Sequence, residues 1–151
     1  MIVLGRDTQG HVARSLLPRA PCAVAVTPPA SSSRDPSSSL RRIGIALNDS
    51  PEAQVALVVA TELAQASDAQ LVRLVAGQQA AGDAADALTQ ASAGLDLLVC
   101  GTRGRGRATA AIFGSVSTQL AAHARCPVLV VPPAGWPRSA GAAGVSAQAS
   151  V

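Results

Sequence analysis

The residues best suited to chemistry lie between Gly101 and Ser117. The stretch opens Gly101-Thr102-Arg103-Gly104, runs nine further residues, and reaches Gly114-Ser115-Val116-Ser117. Glycine admits positive φ and lets a ligand come close to the backbone. A helix opening at Gly114-Ser115 offers unpaired N–H groups and the positive end of its dipole. A glycine loop joined to such a helix start suits phosphate oxygens. Ser115 and Ser117 add hydroxyl donors, and Arg103 carries a guanidinium able to reach a phosphate. The string is not a Walker loop, because GxxxxGK[ST] is absent. Gly104-Arg105-Gly106 alone is a weak fragment of a dinucleotide fingerprint.

The elements that must position this loop follow from the pattern around it. Arg42 to Leu47 is a short branched apolar run, read as a strand. Ser50 can cap a helix, Pro51 suits its first position, and Glu52 favours its positive start. Ala53 to Ala66 then reads as helix and Gln70 to Val75 as a second strand. Asp83 is expected to cap a helix that runs to about Ala93 and ends at Gly94. Leu95 to Cys100 is a third strand, apolar enough for burial on both faces. A helix from Gly114 to Ala124 and a last strand from Pro127 to Val131 complete the set. Strands alternating with helices imply right-handed crossovers and an open parallel sheet with helices on both faces. The expected strand order is second, first, third, last. Ligands of such sheets sit at the carboxyl ends of the strands, where the order reverses.

Composition bounds the rest. A chain of 151 residues supports one ordinary domain with its own core. Phe113 and Trp136 are its only aromatics, so Ala, Val, Leu and Ile must build that core. Lys is absent and the formal charge is +3, too small to argue for nucleic acid. Arg103, Arg105 and Arg107 lack the interleaved aromatics of an RNA-contacting segment. Cys22, Cys100 and Cys126 have no zinc or CxxC spacing and are read as buried apolar residues. His11 and His123 have no partner at metal-ligand spacing. No run approaches the ~20 apolar residues of a spanning helix, and Gly5-Arg6-Asp7 interrupts any signal peptide. A cytoplasmic protein is expected. No Ser-His-Asp order or paired carboxylates stand near the loop, so any catalysis is expected to be slow.

The first 29 residues repeat the end of the domain. Met1 to Gly5 parallels Leu97 to Gly101, and Arg19 to Val26 parallels Ala124 to Val131. The organisation expected is therefore a strand-helix-strand remnant of a preceding domain over 1–29 and a linker over 30–40. The main domain follows over 41–133, and 134–151 is an unstructured tail.

The spacing Gly101-x2-Gly104-x9-Gly114-Ser115, followed by a helix and Cys126-Pro127-Val128-Leu129-Val130-Val131, resembles the nucleotide-binding subclass of universal stress proteins. The resemblance covers about residues 41 to 133. It implies an adenine nucleotide alpha hydrolase-like sheet, shortened here, that binds ATP, with or without magnesium, at the strand ends. By motif position Gly101, Gly104, Gly114, Ser115 and Ser117 would hold phosphates and ribose. Arg103 and Val116 would line the site, with Ala46, Leu47, Asn48 and Val75 flanking the adenine and ribose. It also implies a homodimer or, through the repeat, an internal half-dimer with Val24 to Val26 antiparallel to Val128 to Val131. Two departures stand out. The family has Asp-Gly-Ser where this chain has Asn48-Asp49-Ser50, and the span from Val75 to Asp83 is too short for the family's further helix and strand. The alternatives are a protein-interaction module without nucleotide and a weak nucleotide hydrolase.

Overall fold

The computed structural model describes residues 1–6, 17, 22–29, 39–75, 81–102 and 115–132. The strands are β1 (Ile2–Gly5), β2 (Val24–Thr27), β3 (Arg42–Leu47), β4 (Gln70–Val75), β5 (Leu97–Gly101) and β6 (Val128–Val131). The helices are α1 (Pro51–Ser67), α2 (Ala81–Ala91) and α3 (Ser115–His123), with a 3-10 turn at Ser92–Gly94. The strands form one sheet in the order β1-β2-β6-β5-β3-β4. The order β4-β3-β5-β6 is parallel throughout, as the alternation of strands and helices predicts. β2 runs antiparallel to β6, with Val24 opposite Val130 and Val26 opposite Val128, and β1 lies parallel to β2.

Strand β5 shows how the sequence builds two layers. Its residues alternate between faces. Leu98 and Cys100 pack with Val128, Val130, Leu88 of α2 and Leu120 of α3. Val99 packs on the other face with Ile43, Ile45, Leu129 and the α1 residues Ala56, Val59 and Ala60. The chain moves from β3 outward to β4, then crosses back to β5 and β6. A right-handed crossover in each direction places α1 on one face and α2 and α3 on the other. Large residues are scarce, so close approach supplies the packing. Gly44 of β3 lies beneath Leu95, whose side chain would collide with any Cβ there.

The start of α1 follows its capping signals. Ser50 is the N-cap, its Oγ accepts from Ala53 N–H, and Pro51 opens the helix. Its far end falls at Ser67, one residue past the expected Ala66. Asp68 adopts φ 52°, a left-handed conformation, and its N–H caps the carbonyls of Ala64 and Gln65. Asp83 is not the cap of α2, which begins earlier at Ala81. It sits in the first turn, where a carboxylate still faces the positive helix end. Gly94 closes the 3-10 turn instead of ending the α-helix, and Leu95 N–H bonds to Ser92 O at 3.3 Å. Ser92 is fully buried and its Oγ accepts from Arg125 N–H at 2.8 Å, tying that turn to the approach of β6.

Asp96 fixes the register of the two central strands. Its Oδ2 accepts from the N–H groups of Arg41 and Arg42, each at 2.7 Å, while its own N–H donates to Arg42 O at 2.8 Å. Hydrogen bonds to a charged group are among the stronger ones. Asp96→Ala is expected to lower stability by about 1.5–3 kcal/mol, read as a shift of the urea midpoint at constant m-value.

Candidate functional site

The sheet reverses its strand order between β3 and β5, the place where ligands of open α/β sheets bind. Ala46, Leu47 and Asn48 end β3 and are half-buried. Asn48 Oδ1 accepts from the N–H and the hydroxyl of Ser50, so this side chain orders the turn into α1. An aspartate could accept the same two bonds, which is why Asn48 serves the turn where the family pattern has an acid. Val75, at the end of edge strand β4, is 75% exposed.

Gly101 brings α1 to the end of β5. A Cβ at this position would lie 3.0 Å from the backbone C and O of Glu52. The backbone of the first turn of α1 therefore occupies the space that a side chain would need. This is a structural demand on Gly101, separate from any ligand. Thr102 follows. Its N–H donates to Val131 O at 3.1 Å, and its carbonyl accepts from Ser117 Oγ at 3.5 Å. Ser117 is 3% exposed and so turns inward, joining α3 to β5. Val116 is half-buried against the core shared by β5, β6 and α3. Ser115 is the first residue of α3.

Thr102 was not singled out from the sequence. It is 8% exposed, and its Oγ1 is the buried side-chain polar atom without a hydrogen-bond partner among the described residues. Buried hydroxyls are almost always satisfied, so an orphan at the mouth of the sheet marks a place where a partner is missing. The signal in the sequence was slight: a hydroxyl residue directly after an apolar run. Arg103, Gly104 and Gly114 lie outside the described residues, as do Arg105 and Arg107. Among the described residues no group of three His, Cys, Asp or Glu side chains is placed to hold a metal.

An open α/β sheet whose strand order reverses between β3 and β5, with a candidate site at the carboxyl ends there, is the class that this geometry defines. Residues 78–132, from just before α2 through β6, match the model of the Universal stress protein family. That segment belongs to the universal stress protein family, and the sheet has the α/β fold consistent with it. No curated protein matches the chain. No helix among the described residues is long and apolar enough to cross a membrane.

Beneath the crevice Cys100 is buried, and burial pushes its thiol up to about 12 from the ordinary 9.0. The folded chain keeps that proton where the unfolded chain releases it. Between pH 9 and 12 the unfolded state therefore binds fewer protons, and stability falls as pH rises. The chain contains neither Lys nor Tyr, so few other groups titrate there. The urea midpoint is expected to drop from pH 8 to pH 10.5, and Cys100→Ala should flatten that slope. Gly101→Ala is expected to cost about 1–3 kcal/mol through overpacking against Glu52, measured at pH 7 as a lower melting temperature.

Proposed function

We propose that this chain is a regulatory module of the stress response that binds ATP in the crevice at the carboxyl ends of β3 and β5, in the cytoplasm. The observation that carries this reading is the orphan Thr102 hydroxyl, beside Gly101 and the first turn of α3. A ligand oxygen would supply the partner this hydroxyl lacks, and a helix start favours an anion. The spacing from Gly101 to Ser115 adds independent support. In this reading Thr102, Gly101 and Ser115 face the phosphates with Arg103, Gly104 and Gly114. Ala46, Leu47, Asn48 and Val75 flank the ribose and base. Ser117 and Val116 act from behind by holding α3 against β5. The module is a sensor and not a strong catalyst.

The antiparallel seam of β2 with β6 favours a second role for residues 1–29. They are the remnant of a preceding domain, seated so that the chain forms an internal half-dimer. This role stands beside the nucleotide reading and does not depend on it.

Titration calorimetry with ATP, with and without magnesium, tests the leading proposal. Thr102→Val separates it from a purely structural role. Removing an unsatisfied buried hydroxyl should leave the ligand-free chain as stable or more stable, while ATP affinity falls about 5–10-fold, the worth of one hydrogen bond. Gly114→Val should abolish binding. Absence of ATP binding by the folded chain, or unchanged affinity in Thr102→Val, would falsify the assignment of this crevice.

A further inference from the structure

One repeat position grips both ends of α3. β1 and β2 pair Ile2 with Val24 through Gly5 with Thr27, as β5 and β6 pair Leu98 with Val128 through Gly101 with Val131. The residue after the first strand of each unit is Arg6 in one and Thr102 in the other. Thr102 O accepts from Ser117 Oγ at 3.5 Å, in the first turn of α3. Arg6 reaches past the pairing of β2 with β6. Its guanidinium donates to Ala124 O at 2.8 Å, just beyond the last turn of the same helix.

The carboxyl end of α3 is short of donors from its own chain segment. The last carbonyls of a helix have no partner within it. Ala124 N–H is spent on Leu120 O at 2.9 Å, and Ala124 itself is buried. Further along, Arg125 N–H goes to Ser92 Oγ at 2.8 Å, and Pro127 has no N–H to give. Arg6 supplies a charge-assisted bond at the negative helix end, where a cation is favoured both as donor and as charge.

The middle of α3 is fixed by packing. Leu120 and Ala121 are buried in the core with Leu88, Leu98 and Cys100. A nine-residue helix, on the order of 13 Å long, pivots about such a buried point as one body. Its tilt is then set at its two ends. The tie at the amino end, from Ser117, is long for a hydrogen bond, and the tie at the carboxyl end, from Arg6, is short and charged.

We propose that Arg6 is a positioning residue for the candidate site. By holding Ala124 it fixes the tilt of α3 and keeps the first turn of that helix, with its free N–H groups, beside Thr102. The inference rests on the nucleotide reading for its ligand and on the two ties for its geometry. Without the Arg6 bond fewer chains hold α3 in place, and apparent affinity falls by that fraction.

The test uses the full chain, with ATP as the probe in calorimetry and amide exchange on the ligand-free protein. Arg6→Ala should weaken ATP binding about 3–10-fold, the range over which residues outside a site modulate it. Arg6→Lys keeps one charged donor and should restore the affinity. Thr27→Val removes the bond from Thr27 Oγ1 to Leu4 O within the first unit and touches no part of α3. It should lower the melting temperature and leave ATP affinity unchanged. In the ligand-free chain Arg6→Ala should speed exchange of the Gln119 and Leu120 amides, which close the first turn of α3. The factor should exceed that at Leu98 and Val99 of β5, which report the stability of the whole sheet. A chain that binds no ATP yet shows this local loosening overturns the nucleotide reading and upholds the tie. The positioning role is overturned by no excess exchange at Gln119 and Leu120, by ATP affinity that Arg6→Ala leaves unchanged, by Arg6→Lys as weak as Arg6→Ala, or by Thr27→Val weakening ATP as much.

Discussion

The close contact of Gly101 with the first turn of α1 sets the geometry on which the rest depends. A bare Cα at the end of β5 lets the Glu52 backbone settle where a side chain would otherwise stand. Helix α1 can then cover Val99 and Ile45 with Ala56, Val59 and Ala60. The same approach brings the first turn of α1 to the end of β5, and Ser117 Oγ joins α3 to Thr102 at that end. A bulkier residue would separate these parts before any ligand chemistry could be considered.

The packing follows the same economy of size. The described core is built from Ala, Val, Leu, Ile and Cys. Interiors are as dense as organic crystals, so small side chains demand short distances between layers. Gly44 under Leu95 and Gly101 against Glu52 are two expressions of that demand, on opposite faces of the sheet. Ser92 and Asp96 supply the polar counterpart. Each ties backbone groups at the amino ends of the strands, far from the crevice. The end that holds register and the end that carries the candidate site are thereby separated.

Much of the fold was legible in the sequence because its signals were local and mutually consistent. Ser50-Pro51-Glu52 marks a helix start by capping chemistry alone, and the apolar run within Leu95 to Cys100 marks a doubly covered strand, which begins two residues later at Leu97. The repeat, read with the family resemblance, placed β2 antiparallel to β6. What escaped depends on long-range contact. The start of α2 lies ahead of the strongest capping candidate, Asp83, and the left-handed turn at Asp68 uses a residue with no glycine to announce it. Asp96 gains its role from Arg41 and Arg42, more than fifty residues earlier in the chain. Of the candidate site, Gly101 was found for its freedom but matters equally for its lack of bulk. Ser117 was read as a hydroxyl donor to a ligand, and its hydroxyl turns inward to Thr102 O. Thr102 had no sequence pattern to reveal that its hydroxyl lacks a partner.

Arg6 occupies in the first unit the place that Thr102 holds in the second. Its guanidinium crosses the seam and donates to Ala124 O at 2.8 Å, at the negative end of α3. The position that closes the crevice in one half has thus become a strut in the other. The two halves share a scaffold and divide its labour, so their likeness in strand pairing does not extend to the residue that follows each first strand.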